Sequence, residues 1–540
     1  MPWWKDSVAY QIYPRSFQDT NGDGIGDLPG IRLRLPLLRD LGIGILWLSP
    51  VYASPNDDNG YDISDYRSIH PDFGTMEDMR ALIRDAQSMG IRIIMDLVIN
   101  HTSDEHPWFQ ASRDPDSPYR DYYIWKPGKN GGPPNNWTGF FAGSTWDKDD
   151  RSGEYYLHLF SRKQPDLNYR NPKVLAEVLD IMRFWLDMGI SGFRCDVINV
   201  LFKSSLEDGR KKLILTGSEH YLSQEGTHEL LRRMRSEVWS RYDCFTVGET
   251  VFVSPKQGRD LCDPSRGELD MIFSFEHMET DQFFVKWFKR RFRPANFGRA
   301  LAAWQNGLAW NANYFENHDQ PRSITRFGND QAYHKESGKM LALLLFSLRG
   351  TPFIYQGQEI GMTNYAFRDI REVKDVESLR INAFLRAKGV PSRIRMRLIR
   401  TAGRDTARTP MQWNREKNAG FTTGNPWLLV NPDYTRINYE DQLKDPESIL
   451  FFYRSMIALR RANTTLKDGS FLLRQAGHRV FSFDRVKDSE KLTVLVNFSA
   501  ARVKAMHSGS VMISTYGRDI YDGVLLPYEG IILRNEVAGL

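Results

Sequence analysis

The sequence predicts an α/β fold: a (β/α)8 TIM barrel, with a small domain inserted after strand three and an antiparallel β domain at the C-terminal end. Three observations carry this. Eight short, mostly apolar runs recur along the first two thirds of the chain, separated by longer helical stretches. That alternation is expected of parallel strands buried on both faces. Two polar stretches interrupt it and are too long to be plain loops. After about residue 466 the texture changes to short strands with no helices between them.

The elements follow in order. The strand runs are 8–13, 44–48, 91–98, 190–195, 244–248, 270–275, 312–315 and 352–355, and 76–88, 172–188, 227–241 and 333–348 read as helices between them. Segment 103–171, rich in Pro, Gly, Asn, Asp and Trp, reads as the inserted domain and leaves 1–102 as the first part of the barrel. The second part is 172–465, with a further insertion at about 364–445 and a closing helix at 448–461. Within it, 202–209 continues into a very polar helix-loop. Runs such as 480–483, 492–498 and 530–533 place a β domain over 466–540. In a barrel of this kind, chemistry sits at the C-terminal ends of the strands.

Composition narrows the function. Of 540 residues, 41% are hydrophobic and 26% charged, which excludes a chain disordered throughout. There is no run of about 18 apolar residues, so neither a membrane span nor a membrane partner is expected. The 72 basic and 67 acidic residues are interspersed and no long basic block stands out, so nucleic acid is not an expected partner. Cys195, Cys244 and Cys262 give neither a disulfide framework nor a zinc pair. The opening Met1-Pro2-Trp3-Trp4-Lys5-Asp6 lacks the pattern of a secretory leader. A cytoplasmic setting is the expectation. The 14 tryptophans suit core packing or flat surfaces that stack on sugars.

The strand ends carry the chemistry. Strand three runs into Asp96-Leu97-Val98-Ile99-Asn100-His101, and strand four into Gly192-Phe193-Arg194-Cys195-Asp196. Strand five ends Val247-Gly248-Glu249-Thr250, and strand seven ends Phe315-Glu316-Asn317-His318-Asp319. Asp196, Glu249 and Asp319 thus fall where a barrel enzyme keeps its catalysts. Arg194 and Asp196 are two apart and share a face. An arginine there holds a nucleophilic carboxylate ionised, while close packing of carboxylates raises the proton affinity of another, as a general acid needs. Any one strand-end carboxylate is ordinarily a cap or an ion-pair partner; three together with two histidines point to a carboxylate-based hydrolase.

These segments resemble the four signature regions of the α-amylase superfamily, glycoside hydrolase family 13. Gln164-Pro165-Asp166-Leu167-Asn168 resembles the fifth region of its oligo-1,6-glucosidase subfamily. So do the opening Trp3-Trp4-Lys5 through Gln11-Ile12-Tyr13-Pro14-Arg15-Ser16-Phe17 and the late Ala407-Arg408-Thr409-Pro410-Met411-Gln412-Trp413. The resemblance implies Asp196 as nucleophile, Glu249 as general acid/base and Asp319 as stabiliser of the transition state. It implies a retaining mechanism, with the first two carboxyls roughly 5–5.5 Å apart. His101, His318 and Arg194 would bind glucose hydroxyls. Asp58 would hold the terminal glucose and Tyr61 would stack on it; Arg408 would pair with Asp58, and Phe160 and Gln164 would line the pocket. A pocket closed by that pair trims chain ends.

Asp19-Thr20-Asn21-Gly22-Asp23-Gly24-Ile25-Gly26-Asp27 puts oxygen side chains at alternate positions, with Gly24 for a sharp turn and the Ile25 carbonyl as a further ligand. This copies the first nine positions of a calcium loop. Gly30 stands where an EF-hand has Glu, so the loop is not one. Asp19, Asn21, Asp23, Ile25 and Asp27 are the expected ligands of a structural Ca2+, with Mg2+ as the other hard-ion occupant, and a metal-free loop rich in Asx turns as the plain alternative. No organic cofactor is expected.

Val197 follows the nucleophile. In the resembling subfamily Val at this place accompanies α-1,6 cleavage, and Ala or Thr accompanies α-1,4. The resemblance therefore implies an exo-acting α-1,6-glucosidase on isomaltose and short isomalto-oligosaccharides, working as a monomer or weak homo-oligomer. The alternatives are a trehalose-6-phosphate hydrolase, an α-1,4-active glucosidase, a sucrose-acting transglucosidase or isomerase, and a catalytically dead partner protein.

Overall fold

The computed structural model describes residues 2–536. The chain divides into two compact units, one of 1–46, 85–91 and 275–540, the other of 47–84 and 92–274. All eight predicted strands form: β1 (Ala9–Ile12), β2 (Ile45–Leu48), β3 (Arg92–Leu97), β4 (Gly192–Cys195), β5 (Phe245–Glu249), β6 (Met271–Phe273), β7 (Ala312–Asn313) and β8 (Thr351–Tyr355). Their order in the sheet is β7-β8-β1-β2-β3-β4-β5-β6. Each strand lies beside its chain neighbours and β8 lies beside β1, which is the succession of a (β/α)8 barrel.

Between the strands run α1 (Leu28–Leu41), α2 (Met76–Ser88), α3 (Pro172–Met188), α4 (Glu225–Glu237), α5 (Pro255–Cys262), α6 (Pro294–Gly307) and α7 (His334–Ser347). The long insertion after β8 contributes α8 (Val376–Ala387) and α9 (Ser392–Ala402), and α10 (Ile449–Ala462) follows it. Helix α3 shows how sequence sets an element. Asn171 caps it by accepting from the Lys173 amide, Pro172 opens it, and Gly189 ends it at φ 109°. Its buried stripe runs Val174, Val178, Ile181, Trp185, each worth roughly 1.5–3 kcal/mol on burial. Strand β4 then starts at Gly192, where φ is +141° and a Cβ would lie 1.9 Å from the Phe245 carbonyl oxygen of β5.

One local expectation fails. The helix over 227–241 ends at Glu237, because Val238 leaves the helical region at φ −131°, ψ −68°, and Trp239–Arg241 forms a separate 3-10 turn. The run 202–209 forms no helix; the next regular turn is Ser218–His220. Its serines, glycine and clustered charges favour local hydrogen bonds over helix propagation.

Within 103–171, Trp125–Lys126, Tyr155–Leu157 and Trp146–Lys148 make a three-stranded antiparallel sheet. A core of Trp137, Trp146, Leu157 and Tyr221 sits with it and takes in Val197 and Val200 from beyond β4. In the other unit, β9 (Ser470–Ala476), β10 (Val480–Lys487), β11 (Glu490–Asn497), β12 (Ser510–Ser514) and β13 (Gly530–Glu536) form an antiparallel sheet in the order β9-β10-β11-β13-β12. Two buried arginines, Arg460 of α10 and Arg485 of β10, fasten these elements to the end of α7. Arg460 donates to the carbonyls of Phe346, Leu348, Gly350 and Leu466, and Arg485 to those of Ser347, Leu466 and Gly469. The last carbonyls of a helix lack intrahelical donors, and these guanidinium groups supply them. Burial without a carboxylate partner lowers Arg460 to about 9. Among the described residues no helix is long and apolar enough to cross a membrane.

Candidate active site

The unit of 47–84 and 92–274 gathers three buried carboxylates on one guanidinium. Asp96 of β3 stands directly opposite Arg194 of β4 in the parallel register, so both side chains leave the sheet on one side. Arg194 Nη1 contacts Asp96 Oδ1 and Asp196 Oδ1 at 2.5 Å each, and Nη2 lies 2.7 Å from Glu249 Oε2. Arg194 is 1% exposed, and the paired carboxylates hold its charge more firmly than usual.

The turn after β4 aims the cluster. The Asp196 amide donates to the Leu97 carbonyl, and Val197 then takes a left-handed conformation, φ 35°, ψ 41°. That region is a genuine outlier for a β-branched residue. It turns the Val197 amide onto Glu249 Oε2 at 3.2 Å. Packing against Trp137, Trp146 and Tyr221 holds Val197 in place.

Burial and the arginine pull Asp196 in opposite directions. Arg194 does contact Asp196, but burial outweighs it and pushes the Asp196 carboxyl up to about 6. Burial likewise raises Asp96 to about 6, against the pull of Arg194 and the Trp47 indole N–H. Asp196 is also hydrogen-bonded to Glu249, and two carboxyls in such contact hold a proton between them. One acid and one base on a shared arginine is the pairing that acid-plus-nucleophile chemistry requires.

Around this core the unit places the other expected residues. Tyr61 Oη donates to Asp96 Oδ2 at 3.2 Å, and its ring lies beside Arg194. His101 Nε2 meets the Tyr61 carbonyl at 3.0 Å. Gln164 Nε2 reaches the Tyr61 carbonyl at 3.1 Å and Asp58 Oδ2 at 3.4 Å. The Asp58 amide donates to Asp62. Phe160 packs on His101 at 5.3 Å and stacks on Phe140 at 4.7 Å. Burial lowers His101, so its ring stays neutral at pH 7. Asp58, Tyr61, His101, Phe160, Gln164, Arg194, Asp196 and Glu249 thus belong to one unit; Asp96 joins them, unremarked in the sequence because its register partner is 98 residues away.

The other unit holds a second cluster. Gln11 Nε2 donates to His318 Nδ1 at 2.7 Å, which leaves the ring proton on Nε2, 3.2 Å from Asp319 Oδ2. Tyr13 stacks on the same ring. Arg408 donates to Asp319 Oδ1 at 2.7 Å and to the His318 carbonyl. Arg404 lies 3.5 Å from Asp319 Oδ1 and pairs with buried Asp375 at 2.6 Å. Burial alone would raise Asp319, but His318, Arg404 and Arg408 together hold it far below the usual carboxylate range. Arg404, Asp375, Gln11 and Tyr13 are functional neighbours that strand-end reasoning does not reach.

The acidic loop sits in this unit as well. Asp19 accepts from the amides of Asn21, Gly22 and Gly24, Asp23 from that of Ile25, and Asp27 from Thr20 and from Gly30, capping α1. Gly24 is at φ +92° and a Cβ there would strike the Asn425 carbonyl oxygen. Among the described residues no group of three or more His, Cys, Asp or Glu side chains is arranged to hold a metal, and none of Asp19, Asp23 and Asp27 has a lysine or arginine partner.

Carboxylates at strand ends, organised by arginine and histidine on a (β/α)8 barrel, define a class of carbohydrate-cleaving enzymes. The chain belongs to the alpha-amylase family, whose catalytic-domain model matches residues 11–469, and it is a glycoside hydrolase. It is 50% identical over 508 residues to an oligo-1,6-glucosidase from Parageobacillus thermoglucosidasius, covering 92% of this chain and 90% of that one. Among solved structures it resembles a trehalose-6-phosphate hydrolase from Bacillus licheniformis, with a TM-score of 0.94, 41% identity, and coverage of 99% and 100%. An isomaltulose synthase from Klebsiella sp. LX3 aligns with a TM-score of 0.96, 39% identity, and coverage of 98% and 99%.

Proposed function

We propose that the protein is an exo-acting, retaining α-glucosidase that releases glucose from the non-reducing end of isomaltose and short isomalto-oligosaccharides through α-1,6 cleavage. The observation that carries this is Val197, held in a strained turn between Asp196 and the aromatic core, in a chain half identical to an oligo-1,6-glucosidase over most of its length. A β-branched wall beside the nucleophile narrows the space for a leaving sugar, and an α-1,6 bond, with its extra rotatable methylene, can bend around it.

In this reading Asp196 attacks the anomeric carbon as Glu249 gives a proton to the leaving oxygen. Glu249 then takes a proton from water, and the water oxygen displaces Asp196. The shared arginine touches both groups and stabilises Asp196 as the anion that attacks. Asp319, kept charged by His318, Arg404 and Arg408, supplies a fixed negative charge for the oxocarbenium-like transition state. Asp58, Tyr61, His101, Gln164 and Phe160 serve the terminal glucose.

Initial glucose release from isomaltose, maltose, sucrose and trehalose 6-phosphate at equal enzyme tests the substrate. Isomaltose should lead. Dominant cleavage of trehalose 6-phosphate would keep the family and overturn the substrate.

We further propose that the Asp19–Asp27 loop takes a structural Ca2+. Its donors are all oxygen, it concentrates three carboxylates without a basic partner, and Gly24 keeps the turn tight. A cytoplasmic setting, as a monomer or weak homo-oligomer, completes the reading; three unpaired cysteines support the reducing compartment.

A further inference from the structure

One surface of the unit that contains 275–540 has no role in the chemistry above. Gln282–Phe283 and Val285–Lys289 form a two-stranded hairpin turning at Phe284, which sits at φ 63° and is 68% exposed. Trp287 of the hairpin packs into a core with Met396 and Ile399 of α9, so hairpin and helices are contiguous. Six large hydrophobic side chains stand in solvent here: Phe283, Phe284, Phe288, Leu379, Phe384 and Ile394. Only nine others are exposed among all the described residues.

The same surface is basic. Residues 376–402 hold seven Lys or Arg and one Glu, a net +6 against +5 for the whole chain. The one acid, Glu377, is neutralised by Lys286 of the hairpin. Arg386, Lys388, Arg393 and Arg397 are exposed and have no carboxylate partner among the described residues. Arg393 and Arg397 repel at i,i+4, and Arg393 sits in the first turn of α9, at the positive end of the helix dipole. Elsewhere the chain neutralises such clusters. On and beside α4, Arg232 meets Glu225 and Glu268, Arg233 meets Glu237, Arg235 meets Asp270, and Arg266 meets Glu268.

We infer that this hairpin with α8 and α9 docks on an anionic lipid bilayer. Uncompensated cations flanking projecting Phe, Leu and Ile side chains match the two layers of a bilayer surface, phosphate headgroups outside and the acyl boundary beneath. An anionic layer would supply the counter-charge that α9 lacks. Contact of this kind needs no spanning helix.

The test is co-sedimentation of the full chain with vesicles of phosphatidylcholine alone or with one quarter phosphatidylglycerol, at low salt and at 0.5 M NaCl. Binding should require the anionic lipid, fall with salt, and drop more than about tenfold in the variant Arg386→Gln/Lys388→Gln/Arg393→Gln/Arg397→Gln, at about a fivefold loss per cation. Isomaltose hydrolysis should be unchanged in that variant. Phe284→Ser/Phe288→Ser should weaken the salt-resistant part, and Arg232→Gln/Arg233→Gln should change nothing. Equal pelleting with both vesicles, no binding at low salt, or full binding by the fourfold variant overturns the inference. Self-association that depends on the same four cations, without vesicle binding, would assign the surface to a second copy instead.

Discussion

Replacing Arg194 tests the reasoning about the carboxylate cluster most directly. With the arginine present, burial already lifts Asp196 and Asp96 to about 6. An adjacent guanidinium lowers a carboxyl by about 1–3 units. Without it, the nucleophile would titrate between about 7 and 9, and its ionised fraction at pH 7 would fall from about nine tenths to between roughly one half and one hundredth. The wild-type pH profile of kcat/KM should lose its acidic limb near pH 6, as a macroscopic value of the Asp196–Glu249–Asp96 group. In Arg194→Gln that limb should move up by at least one unit. The pH-independent plateau should fall further, because Glu249 also loses its partner. Leaving three buried carboxyls without their counter-ion costs on the order of 3–5 kcal/mol of stability, so Arg194→Lys, which keeps the charge but only one arm of the fork, is the companion variant. It should fold better and show a smaller shift. If Arg194→Gln kept kcat/KM within about tenfold with its acidic limb unmoved, that would refute the cluster as the controller of protonation.

Further predictions concern stability. Glu359 is fully buried, accepts from Tyr10 Oη, and is raised to about 7. Its folded pKa exceeds its unfolded one, so its contribution is full below about pH 4.5 and is lost as pH rises through 7. Glu359→Gln should therefore melt higher than wild type at pH 8, by an advantage of on the order of 1–3 kcal/mol that disappears at pH 5; a constant difference across that range would count against the assignment. Chelation should lower the melting temperature, and added Ca2+ should restore it; demonstrably metal-free protein with an unmoved transition would remove calcium from the Asp19–Asp27 loop. Arg485→Met leaves the carbonyls of Ser347, Leu466 and Gly469 without this donor, at roughly 1–3 kcal/mol each, and thermal unfolding should begin several degrees lower.

The strand runs were legible because parallel strands buried on two faces must be short and apolar, and their ends therefore located Asp196, Glu249 and Asp319. What stayed hidden depends on partners far apart in the chain. Asp96 matters through its register with Arg194, and Arg404 through Asp375; neither pairing leaves a local pattern. The lift of Asp196 to about 6 stayed hidden for a related reason: the neighbouring arginine can be read from spacing, but the depth of burial cannot. The pair α8 and α9 was visible only as an insertion, because its exposed cations and apolar residues blur the helical stripe. In the acidic loop the oxygen spacing was plain, whereas the number of those oxygens already taken by loop amides followed only from the backbone path.

The two buried arginines behind α7 bear on how the chain is made. The carbonyls at the end of α7 wait for Arg460 and Arg485, which lie 114 and 138 residues beyond Phe346 and Ser347. At a ribosomal pace of about 5–20 residues per second, that is a delay of roughly 6–28 s. During that interval the growing polypeptide carries an unfinished helix end whose last carbonyls are left to water. A message truncated before Arg460 would release a product that lacks both donors. The clamp thus closes once the chain has grown through β10.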